Sequence, residues 1–234
     1  MSNRMDVETA ELTDGELVAL LRNHGMNRRG LMRLFGAGAV VAGLGGTAAA
    51  KPGGVSIDEV YGASYEASES VPSGVVDQVV QLHLHFEPPG PPEFFFDPVG
   101  VHLEAGEVID FEVHSGLHTV TALHPKFDEP GAFEFPDRVP TENGFTSAVM
   151  NTGDSWLYRF STPGVYDIMC LPHYDFGMVV RVVVTGRNPN DPIPEDSYDD
   201  SLLPPAVEDV FDAPEMTPQH IVDNGTVGWD DLTL

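Results

Sequence analysis

Lysine and cysteine are almost missing from this chain. Among 234 residues there are two lysines, Lys51 and Lys126, and one cysteine, Cys170. A single cysteine excludes a disulfide within the chain, so the core must hold the fold, and it excludes any binuclear centre that needs two thiolates. Basic residues number 11 against 37 acidic ones, for a formal charge of −26. A surface of that sign repels phosphate backbones and anionic lipid heads, which argues against a nucleic-acid partner. It reads as a solvated acidic face suited to high salt, where screening removes the self-repulsion. Long apolar runs are scarce too. The stretch from Leu34 to Ala50 is short and rich in glycine and alanine, unlike a membrane span. No Gly-x-Ser-x-Gly elbow and no internal repeat are present.

What is there concentrates in nine residues, Cys170-Leu171-Pro172-His173-Tyr174-Asp175-Phe176-Gly177-Met178. A thiolate, an imidazole and a thioether stand at the spacing C-x2-H-x4-M, three soft or borderline ligands on one loop. A thiolate with two imidazoles and a weak axial Met is the ligand set of a blue-copper electron-transfer centre. The loop offers three of those four, so a second His must come from elsewhere. Gly164 to Met169 reads as a strand entering Cys170, and Met178 to Val184 as a β-branched strand leaving it. The bland alternative is a buried structural cysteine with a chance His and Met beside it. Zinc also accepts Cys and His, but Met is a poor zinc ligand, so Met178 favours copper.

Cys170 to Met178 resembles the copper loop of cupredoxins, the small blue-copper proteins, and its Pro172-His173-Tyr174 and Gly177-Met178 are especially similar to the pseudoazurin branch. The resemblance covers roughly residues 75 to 185. It implies a Greek-key β-sandwich, one copper ion cycling between Cu(I) and Cu(II), and a one-electron carrier rather than an enzyme. In that family the remaining His lies about 50 residues upstream at the end of a strand, and Gly116-Leu117-His118-Thr119-Val120 fits. The implied ligands are therefore His118, Cys170, His173 and Met178. His114 competes for the upstream position, and the Gly-x-His-x-Val context favours His118. The family commonly has Asn after the first His, tying the two ligand loops together; this chain has Thr119, whose hydroxyl can replace only part of that bonding. The resemblance further implies a solvent-facing His173 as the electron exit, ringed by Leu171, Pro172 and Phe176. A copper-delivery or scaffold module without a carrier role is the alternative reading.

Along the chain, Asn27-Arg28-Arg29-Gly30-Leu31-Met32-Arg33 resembles a twin-arginine export motif, with Ala48-Ala49-Ala50 offering a small-residue cleavage site. Export outside the cytoplasmic membrane is the expectation, with the segment cleaved or kept as an anchor and translation starting at Met1, Met5 or Met26. Residues 1–50 thus read as signal, 51–74 as a Gly/Ser/Glu-rich linker, 75–185 as the copper domain and 186–234 as an acidic Pro-rich tail. Strands are expected at 79–86, as a pair across Gly106 within 101–113, and at 118–123, 145–150, 155–160, 165–170 and 178–184, about eight in all. The tail carries twelve acids and seven prolines with no strand period, the composition of an irregular, largely disordered segment. Val210-Phe211 and Trp229 are the residues through which it could dock.

The other histidines count for less. His83-x-His85 places two imidazoles on one strand face, which is metal-capable but more simply a polar face. His24, His102, His124 and His220 have no evident partner. The expected partners are transient redox proteins, with no nucleic acid and no small-molecule substrate. Peripheral membrane association stays open for a chain expected to be a monomer.

Overall fold

The computed structural model describes residues 55–128, 134–188, 190–196, 198 and 200–234. The export-like segment and the start of the linker lie outside them. Among the described residues no helix is long and apolar enough to cross a membrane.

Twelve strands are present among the described residues. One sheet takes β1 (Ala63–Tyr65), β9 (Ser155–Phe160), β5 (Glu107–Val113), β2 (Gln78–His85) and β3 (Glu93–Asp97), in that order. The other takes β12 (Thr226–Val227), β4 (Gly100–Glu104), β11 (Val179–Thr185), β10 (Gly164–Met169) and β7 (Thr121–Ala122). A short ribbon joins β6 (Leu117–His118) to β8 (Met150–Asn151). Pairing is antiparallel except for β2 with β5 and β4 with β11. The two five-stranded sheets share a core. Val80 and Leu82 of β2, Phe94 and Phe96 of β3, Phe111 of β5 and Trp156 of β9 cluster with Val101, Tyr166, Ile168, Val180 and Val182 of the second sheet. The alternation along β2 produces this: Leu82 points in and His83 points out. The fold is the all-β sandwich expected.

Three expectations are corrected. The stretch 118–123 is not one strand: β6 and β7 belong to different sheets, separated at Thr119 and Val120. Phe145 to Met150 pairs only by one bridge, Thr121 with Thr146, and at its end in β8. The end of the supposed linker is part of the sheet, since β1 pairs with β9 and the Trp156 indole N–H donates to the Tyr61 carbonyl at 2.8 Å.

The largest correction concerns the tail. Residues after 203 form helix α1 (Pro205–Phe211), helix α2 (Pro218–Asn224) and β12, which pairs with β4. Val207, Val210 and Phe211 recur at i, i+3 and i+4, an apolar helical stripe. With Met216 and Ile221 they form a second core against Val99, Met169, Val179 and Val183, on the outer face of the second sheet. β11 is therefore buried on both faces, and its near-continuous valine run is what a strand covered twice requires.

A buried ionic cluster fastens this cover. Asp167 on β10 lies opposite Arg181 on β11 and is fully buried. Arg181 donates to both its carboxylate oxygens, at 2.8 and 2.9 Å, and Arg138 donates to Oδ2 at 2.8 Å. Asp196 pairs with both guanidiniums, Asp200 pairs with Arg138, and Arg181 also donates to the Met216 carbonyl. Phe211 stacks under both guanidiniums at 5.1 and 4.8 Å. Burial alone would lower the Arg181 pKa, but Asp167 and Asp196 raise it on balance. Breaking one partner out of such a cluster strands buried charge, at a cost of about 3–5 kcal/mol. Asp167→Ala is expected to lower unfolding stability by that order and to open residues 186–234 to limited proteolysis. An unchanged denaturation midpoint with a protected tail would contradict this role.

Candidate metal centre

The site is assembled where β10 ends. Cys170 follows its last residue, and a 3-10 turn over Leu171–Phe176 carries the chain to β11. Backbone bonds close the loop: Cys170 N–H to the Met178 carbonyl at 3.0 Å, His173 N–H to the Cys170 carbonyl at 3.0 Å, and Met178 N–H to the His173 carbonyl at 3.3 Å. Gly177 turns it with φ +80°, and a Cβ there would lie 2.7 Å from the Ala206 carbonyl of α1. The C-terminal cover therefore packs directly on the ligand loop.

His118 arrives from the other side at the end of β6. The Gly116 turn before it has φ +83°, and a Cβ there would crowd Leu84 at 3.0 Å and the His118 ring at 3.3 Å. His118 Nε2 donates to the Ser115 carbonyl at 2.8 Å, which leaves Nδ1 as the lone-pair atom.

Three donor atoms converge. Cys170 Sγ lies 3.5 Å from His118 Nδ1 and 3.3 Å from His173 Nδ1, and the two nitrogens are 3.2 Å apart. All three residues are fully buried, and among the described residues they form the one His/Cys/Asp/Glu group able to hold a metal. A point equidistant from the three atoms lies about 1.9 Å from each, close to the roughly 2.0–2.3 Å of metal–nitrogen and metal–sulfur bonds. The donor set thus fits a small soft-to-borderline ion. Met178 is fully buried in the same core cluster as Cys170. The structure therefore brings His118, Cys170 and His173 together, with Met178 in the core beside them.

His114, the rival upstream ligand, is exposed and meets His83 at 4.6 Å between ring centroids instead. His83 also stacks on Phe95 at 4.8 Å, and His85 faces Glu93 at 3.5 Å. Neither belongs to the donor group.

Thr119 does more than its size suggests. Its N–H donates to Cys170 Sγ at 3.3 Å, and its hydroxyl oxygen accepts from the Leu171 N–H at 2.9 Å. The hydroxyl thus links the two ligand loops by itself. Burial pushes the Cys170 thiol up to about 12, opposed by the Thr119 and His173 N–H groups. Burial lowers His118 to about 4, and it lowers His173 as well, with His118 adding to the effect. Both imidazoles are therefore neutral at pH 7, with lone pairs free for a metal.

The expected solvent-facing His173 is not found. The residue is fully buried, Pro172 is buried, and Leu171 and Phe176 are only half-exposed. Phe94, on a strand that the sequence analysis did not place, stacks on the His173 ring at 3.9 Å with an interplanar angle of 17°. The triple Phe94-Phe95-Phe96 after the proline break was the available signal, because alternation sends its first and third rings inward.

With the geometry in place, likeness to known proteins is informative. Residues 91–185 match the family of copper binding proteins, plastocyanin/azurin family. Pseudoazurin from Paracoccus pantotrophus is 29% identical over 89 residues, covering 38% of this chain and 52% of that protein, so the chain spans about half the length of that relative. Among solved structures, amicyanin from Paracoccus versutus is 21% identical with a TM-score of 0.37, covering 52% of this chain and 91% of that one. A reduced Cu(I) form of an amicyanin mutant is 20% identical, also at 0.37, with the same coverage. Residues 91–185, the greater part of the sandwich, are thus similar to the cupredoxins, the plastocyanin/azurin family of copper-binding proteins, and copper is the metal that fits the site.

The hydroxyl link gives a direct test. Thr119→Val removes the acceptor of the Leu171 N–H, and an orphaned buried donor costs about 1–3 kcal/mol. Stability should fall by that amount and Leu171 amide exchange should quicken, whereas Thr119→Ser should preserve both. Equal behaviour of the two variants would show that the hydroxyl carries no such link.

Proposed function

We propose that this protein is a type 1 copper electron carrier working outside the cytoplasmic membrane, with His118, Cys170, His173 and Met178 as ligands. The observation that carries this reading is the buried triangle of Cys170 Sγ and two imidazole Nδ1 atoms, 3.2–3.5 Å on a side. Copper, when bound, supplies a one-electron Cu(I)/Cu(II) couple. The chain's own residues do the rest. Cys170 would offer the thiolate, His118 and His173 the imidazoles, and Met178 a weakly held thioether sulfur that would help set the potential. The Thr119 N–H to the cysteine sulfur and the surrounding apolar core tune it further. Because strands and backbone bonds on both sides hold the loops, the donors need to move little between the two oxidation states.

The twin-arginine run Arg28-Arg29 supports export, and the acidic surface supports a salty exterior. Domain boundaries follow the same reading, with 1–50 as signal and the copper domain extended at both ends by β1 and the C-terminal cover. The partners are redox proteins met transiently by a monomer, with no nucleic acid and no small-molecule substrate.

The copper-loaded, oxidised protein should show an intense visible thiolate-to-copper band at one copper per chain. Cys170→Ser and His118→Ala should each abolish it, while His114→Ala and the His83→Ala, His85→Ala double variant should keep it. A colourless one-to-one complex would overturn the assignment. Stoichiometric loss of copper to a moderate Cu(I) chelator on each reduction, at neutral pH and high salt, would replace the carrier with a delivery module.

A further inference from the structure

The outer face of the first sheet carries a second pair of imidazoles, brought together by strand pairing rather than by spacing. Leu82 of β2 and Val113 of β5 stand opposite each other in a parallel register, and both belong to the core between the sheets. The next residue on each chain, His83 and His114, therefore turns outward on the same face. The His114 N–H donates to the Leu82 carbonyl at 2.9 Å, which holds the two side by side. Their ring centroids are 4.6 Å apart with an interplanar angle of 35°. Two imidazoles bound cis to one ion, at metal–nitrogen distances of about 2.0–2.1 Å, hold their centroids roughly 4.5–5 Å apart. The His118 and His173 rings of the copper group stand at 5.0 Å. His83 and His114 thus already have the separation of a ligand pair. Phe95 stacks on the His83 ring at 4.8 Å, and Trp229 stacks on Phe95 in turn, so that ring is held in orientation. His83 Nε2 is buried and has no hydrogen-bond partner among the described residues. A buried nitrogen of that kind costs free energy that a bound cation would remove. Burial and the nearby His114 lower the His83 pKa, which leaves its ring neutral at pH 7. Beside His114 opens a cleft of about 380 Å³, lined also by Gln81, Glu112, Thr152 and Ser155. It offers one carboxylate and room for the waters of a hydrated ion. The formal charge of −26 draws cations to the whole surface.

We propose that His83 and His114 form a second metal site, separate from the copper group, for a borderline divalent cation of the zinc class. His83 Nε2 and one ring nitrogen of His114 are its fixed ligands, with Glu112 and water completing the shell. Unlike the copper group it is not a preformed set of three donors: it presents two, and the ion gathers the rest. Zinc accepts imidazole, carboxylate and water together. The site holds no sulfur, so it neither selects Cu(I) nor adds to a thiolate-to-copper band. It stands apart from the carrier reading, because none of its residues is a proposed copper ligand.

Zinc chloride titrated into the metal-free protein, read by the imidazole nitrogen shifts in NMR, resolves the two groups in one experiment. His118 and His173 report the copper donors, and His83 and His114 report the second site. The nitrogens of His83 and His114 should shift together and saturate at one zinc per pair. His114→Ala should weaken that binding by about tenfold or more, since even outer-shell partners of a metal are worth as much. His83→Phe, which keeps a ring on Phe95, should weaken it equally, and His85→Ala should leave it unchanged. Zinc shifts confined to His118 and His173 up to millimolar concentration would overturn the site, as would native zinc affinity at His83 in His114→Ala. Shifts at His83 and His114 alone would leave the second site standing and count against the copper group.

Discussion

Everything in this molecule depends on holding three lone pairs against one another inside an apolar core. Cys170 Sγ and the Nδ1 atoms of His118 and His173 lie within 3.5 Å of each other, all fully buried. Bringing three polar atoms this close inside an apolar core carries a desolvation cost, so the surroundings must hold this cluster in place. They do so from three directions. The Ser115 carbonyl fixes the His118 tautomer, Thr119 ties the two loops, and the backbone bonds across Cys170, His173 and Met178 fix the ligand turn.

The same constraint explains the C-terminal segment. The ligand turn joins β10 to β11, and α1 packs against it through the backbone at Gly177 and Ala206, while Tyr174 enters the second core. Asp167, Arg138 and Arg181 anchor that cover from within the second sheet, and Asp196 and Asp200 close the cluster from the tail. Trp229 completes the wrap, its ring stacking on Phe95 at 5.2 Å and its backbone N–H donating to the Asp97 carboxylate on the opposite sheet's edge strand. The segment is thereby part of the scaffold that positions the metal loop.

What could be read beforehand followed chemical type and period. The C-x2-H-x4-M spacing between two β-branched runs located the ligand turn, and β2, β5, β9, β10 and β11 were visible as strands. His118 was separable from His114 only by resemblance, and the structure places the two in different surroundings, one buried and one exposed. The C-terminal cover was hidden because acids and prolines dominate its composition, although Val207, Val210 and Phe211 carry a helical stripe and Thr217 caps the N-terminus of α2. The unalternating valines of β11 were a second hint, since a strand apolar on both faces needs two covers. The burial of His173 was not legible at all. It depends on Phe94 arriving from 79 positions earlier in the chain, a packing relation that no local pattern contains.

The central claim is that the chain presents a preformed trigonal set of one sulfur and two nitrogens that serves both oxidation states. X-ray absorption at the copper edge tests it most directly, on the oxidised and the reduced protein. The account predicts one short sulfur and two imidazole nitrogens at bonding distance in both, with little change between them. A first shell without that sulfur, or one that gains oxygen ligands on oxidation, would contradict it.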